Sequence, residues 1–257
     1  MVYNTRAKTF PKGQQITIYS KTFSKDIEGN KKNEKLSKAY KNEERTEKQE
    51  NECKQISIKQ TKNRIYDIAR SNEWQWFITL TFDRKKKDSS DYDVVVKELT
   101  QFLNDIRKRQ CPNMKYLIVP ELHADGEHYH FHGLLSNCDN LCFVYSGHID
   151  YKSKRPIYNI AKWTCGFSTA TQVGDTAKVS SYITKYITKE CVAVLKNKKR
   201  YYCSHNIDRP IIDYSVTDKY EFLEMYGSDI SYCKTIDVTQ ASMQISYFEF
   251  DWSKNNG

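Results

Sequence analysis

"PELHADGEHYHFHGLL", residues 120–135, holds four of the chain's six histidines within ten positions, three of them on alternate residues. Successive side chains of an extended strand point to opposite faces. Read as a strand, the stretch puts His128, His130 and His132 on one face, with Tyr129, Phe131, Gly133 and Leu135 on the other. One face is imidazole and the other is core. Just upstream, "ADGE" (124–127) is a tight-turn sequence, because Asp-Gly favours the positive φ angles that hairpins need. The preceding run, "KYLIVPE" (115–121), reads as a strand ending on Glu121, which the short connection can bring to face the histidines. A carboxylate with two imidazoles is a three-ligand set that leaves positions open for water or a phosphate oxygen. Such a mixed set suits Mg²⁺ or Mn²⁺, and Zn²⁺ also fits.

Working outward, "RIYDIARSNEW" (64–74) reads as a short helix and "WFITLTF" (76–82) as a strand rich in aromatic and β-branched residues. "DYDVVVKELTQFLNDIRKRQ" (91–110) places Val95, Leu99, Phe102, Leu103 and Ile106 at helical spacing. After the histidine strand comes an irregular, basic connection, then a strand at "GFSTATQV" (166–173). "DTAKVSSYITKYITKE" (175–190) opens on a capping Asp and runs at helical period. This order implies an α+β domain, an antiparallel sheet with helices packed mainly on one face. The other face would carry Glu121 and the histidines.

The last helix carries a second pattern. Tyr182 and Tyr186 are four residues apart, so they share a helical face, and Lys185 and Lys189 repeat the offset on the adjacent stripe. A phenol of pKa about 10 is a poor nucleophile. A nearby cation or metal stabilises both the phenolate and the charge that builds on a phosphate under attack.

Composition narrows the partners. The net charge is +9 and the pI about 9.0, which favours an anionic partner such as nucleic acid. No run approaches the roughly 18 apolar residues of a spanning helix, and the N-terminus lacks the apolar core of a secretory signal, so a cytoplasmic protein with no membrane partner is expected. Eight cysteines are scattered singly, which suits a reduced state. The spacings Cys138/Cys142 and Cys203/His205 fall short of a paired zinc motif. No phosphate loop of the G-x-x-x-x-G-K-[ST] type occurs in the 257 residues. Residues 1–64 carry sixteen Lys or Arg against eight Asp or Glu. Residues 1–62 therefore read as a basic, charge-rich arm, partly disordered or helical, either solubilising or phosphate-binding. Residues 63–210 read as the main domain and 211–257 as an extension of unassigned role.

Taken in order, "FITLTF", "HFH" and "YITK" resemble the three motifs of the HUH endonuclease superfamily, specifically the rolling-circle replication initiators of plasmids and bacterial single-stranded DNA phages. The resemblance spans roughly residues 63–210. It implies an RRM-like sheet with His130 and His132 as metal ligands and Glu121 as the acidic third. His128, on the same expected face, stands as an alternative third ligand or a DNA contact, and His123 reads as a loop residue with no matching role. Tyr182 or Tyr186 would be the nucleophile, the doubled motif being similar to the two-tyrosine initiators, with Lys185 and Lys189 positioning phosphate or leaving group. The implied activity is metal-dependent nicking of a single-stranded origin, leaving a 5′-phosphotyrosine and a free 3′-OH, then rejoining. The implied setting is a bacterial host cell, with the host helicase and polymerase as further partners. The competing reading is a non-catalytic single-stranded nucleic-acid-binding module built on the same sheet. A conjugative relaxase fits poorly, since its tyrosine precedes the histidines. A hydrolase using water would survive loss of both tyrosines.

Overall fold

The computed structural model describes residues 1–25, 47–187 and 198–252. The chain divides into two compact units, one drawn from residues 47–208 and the other from residues 1–46 with 209–257. The chain opens on two strands, β1 (Val2–Phe10) and β2 (Gly13–Ser24), whose further partners lie near its other end.

The unit within 47–208 starts with helix α1 (Glu47–Arg70), exposed along its first half and burying Ile58, Ile65, Ile68 and Ala69 further on. Strand β3 (Trp76–Phe82), helix α2 (Tyr92–Arg109) and strands β4 (Lys115–Leu122) and β5 (Tyr129–Ser136) follow. Then come β6 (Phe143–Ile149), β7 (Pro156–Ile160), β8 (Gly166–Gln172), helix α3 (Thr176–Ile183) with a 3-10 turn (Thr184–Tyr186), and the short β9 (Tyr202–Cys203). The seven strands form one antiparallel sheet in the order β6-β7-β8-β3-β5-β4-β9.

The period-2 alternation of β3 decides its two faces. Ile78, Leu80 and Phe82 are buried with Ile118 and Phe131 against Val95, Leu99, Phe102, Leu103 and Ile106 of α2. That helix starts where Asp91 accepts from the backbone N–H groups of Asp93 and Val94, satisfying donors with no partner inside the helix. The opposite face is apolar in its lower half, where Leu117, Val119 and Leu134 pack against Ile65 and Ile68 of α1 and against Ile183 and Ile187. The α+β class and the antiparallel sheet are those the element order implied. Helices cover both faces, because β4 and β5 present apolar side chains to both. The segment read as an irregular basic connection contains the β6–β7 hairpin.

Gly133 explains how closely the central strands meet. A Cβ there would stand 2.2 Å from Ile118 Cδ1 and 3.2 Å from the Leu117 carbonyl oxygen. Only a glycine lets the neighbouring side chains close over the strand that carries His130 and His132.

In the other unit, β10 (Ile211–Ser215), helix α4 (Lys219–Tyr226), β11 (Tyr232–Val238) and β12 (Met243–Asp251) join β1 and β2. The five strands form an antiparallel sheet, ordered β10-β1-β2-β12-β11. Ile16, Ile18, Phe248 and Phe250 pack on Phe222 of α4. The expected division into an arm over 1–62, a domain over 63–210 and an extension over 211–257 therefore differs from the observed one. The described start of the arm, residues 2–24, is a strand hairpin, α1 runs across the 62/63 boundary, and the two ends of the chain share a sheet. The physical reason is distance along the chain. The hydrophobic partners of β2 lie on β12, more than two hundred residues away, so no local pattern announces the pairing. Residues 26–46, the rest of the expected arm, lie outside the described residues. No described helix is long and apolar enough to cross a membrane.

Candidate metal and tyrosine site

The β4–β5 hairpin sets the site. Gly126 takes φ +74° in its turn, and Asp125 Oδ1 accepts from the N–H groups of Glu127 and His128 at 3.0 and 3.2 Å. The resulting register puts Glu121 opposite His130 and Val119 opposite His132. Glu121 Oε2 lies 2.9 Å from His130 Nε2 and 2.8 Å from His132 Nε2, and the two nitrogens are 2.8 Å apart. Among the described residues, this is the group of three metal-ligating side chains whose ligand atoms converge.

The donor set fits a divalent ion. Only two Nε2 protons at most serve three close contacts, whereas three lone pairs converging on one cation satisfy all three atoms together. For His132 the tautomer is already arranged: its Nδ1 lies 3.1 Å from Thr79 Oγ1, so an Nδ1–H donated there leaves Nε2 as the lone pair facing Glu121. His130 Nδ1 is buried with no hydrogen-bond partner among the described residues.

Charge agrees with geometry. Burial alone would raise the Glu121 carboxyl, but contact with both imidazoles outweighs it and holds the group at about 2. Burial lowers His132 below its ordinary 6.5, more than the adjacent carboxylate raises it. At neutral pH the site thus offers a carboxylate and, at His132, a neutral imidazole. His123 is lowered by burial and by His130, whose ring centroid is 4.1 Å away.

His128 stands apart from this cluster. Strand β5 begins at Tyr129, so the alternation does not extend back to it. Its Nδ1 sits 3.0 Å from Asp125 Oδ2, in the turn, where Asp125 also accepts from Arg84. His123, given no role by the sequence, is instead the histidine that neighbours His130.

Tyr186 lies directly over the cluster, its ring stacked on His132 with centroids 3.6 Å apart and planes 15° from parallel. Tyr182 meets Tyr186 edge-on at 5.4 Å. The two share a face as their spacing implied, although the α-helix ends at Ile183 and Tyr186 belongs to the 3-10 turn. Thr184 Oγ1 donates to the Ser181 carbonyl at 2.7 Å, a local bond that accompanies the tightening. The tyrosines are not equivalent. Tyr182 is 44% exposed, whereas Tyr186 is partly buried, and burial reinforced by the Tyr182 hydroxyl pushes its phenol well above the ordinary 10. Lys185 Nζ stands 5.2 Å from the centre of the Tyr182 ring. Lys189 lies outside the described residues.

Phe77 and Thr79 belong to the site and were not singled out by sequence. Phe77 contacts the rings of His132, Tyr182 and Tyr186 at 6.0, 5.4 and 6.1 Å. A signal existed: both occupy the alternate positions of "WFITLTF" that do not face the core.

An α+β sheet bearing a His/His/Glu cluster under two tyrosines defines a class of site suited to phosphoryl chemistry. Residues 75–191, which hold all of it, match a family of replication-associated proteins, the one described by its ORF2 member. No curated protein and no solved structure matches the chain.

Proposed function

We propose that the chain is a rolling-circle replication initiator that nicks single-stranded DNA at an origin by tyrosine transesterification and later rejoins it. The observation that carries this reading is the stack of Tyr186 on His132, which puts two phenols beside the Glu121/His130/His132 cluster inside the segment similar to replication-associated proteins.

Mg²⁺ or Mn²⁺ held by Glu121, His130 and His132 would act as a Lewis acid toward one phosphate oxygen. The residues of the chain do the rest. A phenol oxygen of Tyr182 or Tyr186 bonds to phosphorus as its proton leaves, and the bond from phosphorus to the 3′ oxygen breaks. The 3′ oxygen departs as a hydroxyl, and the 5′ phosphate stays as a tyrosine ester. Lys185, beside Tyr182, offsets charge on the phosphate, and Lys189 is assigned the same part at the second tyrosine. One phosphodiester is exchanged for another, so neither cut nor rejoining consumes ATP. The free 3′-OH primes synthesis. When the origin is regenerated, the second tyrosine cuts it, and the released 3′-OH attacks the first ester to close a circle. Host helicase and polymerase would open and copy the strand.

The test is a denaturing gel with the full chain, Mn²⁺ or Mg²⁺ and a single-stranded oligonucleotide library. A metal-dependent covalent protein–DNA band is expected, reduced in Tyr182→Phe and Tyr186→Phe and absent in the double variant. Cutting that survives in the double variant would assign the chemistry to water. Binding without cutting would favour the non-catalytic module.

A further inference from the structure

The sheet face that carries the cluster continues past it, away from the helices. Register fixes one row across four strands: Phe167 of β8 pairs with Thr81 of β3, Thr81 with His130 of β5, and His130 with Glu121 of β4. Phe167 therefore stands two strand spacings, roughly 10 Å, from His130 on the same face. Its surroundings there are small and hydroxylic, since Thr79 pairs with Thr169 and Phe77 with Thr171. The ring is 61% exposed and makes no ring contact among the described residues. Packing does not account for it, because its neighbours Ser168 and Ala170 are the residues of β8 turned into the core. An exposed Phe above a flat floor of threonines is a stacking surface without an occupant of its own.

A second feature adjoins it. The run Arg84–Lys87 turns away from the end of β3, and the turn is held against the start of β8 by Asp83 N–H donating to the Cys165 carbonyl at 3.0 Å. Gly166 allows this approach, since a Cβ there would lie 2.3 Å from the Thr81 oxygen and 2.4 Å from Asp83 N. Arg84 is paired with Asp125, and Lys87 with Glu98. Lys85 and Lys86 are exposed and form no salt bridge among the described residues.

An aromatic face beside free cations is the chemistry that holds a single strand, base on ring and phosphate on ammonium. We propose that Phe167, with Lys85 and Lys86, forms a subsite for a nucleotide flanking the phosphate that is cut, its base stacked on the Phe167 ring. The inference rests on the reading of single-stranded DNA as substrate and says which way the strand leaves the cluster: over β3 and β8.

The test uses the full chain in EDTA, so that nothing is cut, with fluorescence anisotropy on two probes of equal length and charge, an oligothymidylate and an abasic oligonucleotide. Phe167→Ala should weaken oligothymidylate binding about tenfold, at the lower end of base–aromatic stacking, and leave the abasic probe unchanged. Phe167→Trp should keep the wild-type preference. Lys85→Ala with Lys86→Ala should weaken both probes alike and reduce the salt slope by about 1.4, the value for two phosphate contacts on a single strand. Equal losses on both probes for Phe167→Ala, no loss on either, or a wild type that does not prefer bases would each overturn the subsite. The two proposals fail separately. Without a covalent adduct but with ring-dependent preference, transesterification falls and the subsite stands. An adduct without that preference sinks the subsite alone.

Discussion

Replacing Glu121 by glutamine removes one charge from the cluster while keeping its shape. In the metal-free protein the Glu121 carboxyl is held at about 2 against an ordinary 4.5, burial opposing and the two imidazoles prevailing. A carboxyl depressed in the folded state contributes stability that is complete above 4.5 and is lost as pH falls toward 2. At 1.36 kcal/mol per pH unit the full effect would be about 3 kcal/mol. Glu121 is about half buried, so solvent screening reduces this to roughly 1–2 kcal/mol. His132, depressed by burial, acts in the same direction, because the unfolded chain takes up a proton below 6.5 that the folded site resists. The glutamine amide does not titrate. Urea unfolding in EDTA, followed by the fluorescence of Trp74, Trp76 and Trp163 of this unit, should show the wild type losing its advantage over Glu121→Gln by about 1–2 kcal/mol between pH 5 and pH 3. A constant difference across that range would refute the electrostatic account. At pH 7, Mn²⁺ at a hundred times its dissociation constant should add about 2.7 kcal/mol to the wild type. The variant should gain far less. Equal gains would remove Glu121 from the ligand set.

Thr79→Val keeps the volume but deletes the acceptor at His132 Nδ1, so Mn²⁺ affinity should fall about tenfold with little change in melting temperature; unchanged affinity by titration calorimetry would show that the ring is oriented by other contacts. Gly133→Ala forces a methyl into the space of Ile118 Cδ1 and should destabilise this unit by about 1–3 kcal/mol, read as a lowered thermal midpoint. A midpoint equal to the wild type would mean that Ile118 moves aside without cost.

One experiment that the sequence invites loses its meaning in the fold. Trimming residues 1–60 as a detachable basic arm would remove β1 and β2, two adjacent strands of a five-stranded sheet, together with the first half of α1. Weaker DNA binding by such a truncation would report a broken unit as readily as a lost phosphate contact.

Local patterns carried much of this protein. Alternation in "HYHFHG" and the Asp-Gly turn before it were enough to bring Glu121, His130 and His132 together, because a hairpin's register follows from its turn. Four-residue spacing was enough to put Tyr182 and Tyr186 side by side. What sequence alone left open was whatever depends on strands meeting out of order. Whether His128 joins the cluster turned on where β5 begins. The stack of Tyr186 on His132 and the bond from His132 to Thr79 required β3 and α3 to come against β5, pairings made across long loops. The union of the chain's two ends in one sheet was invisible for the same reason: a strand carries its alternation in its own residues, but the identity of its neighbour is set only when the whole chain has folded.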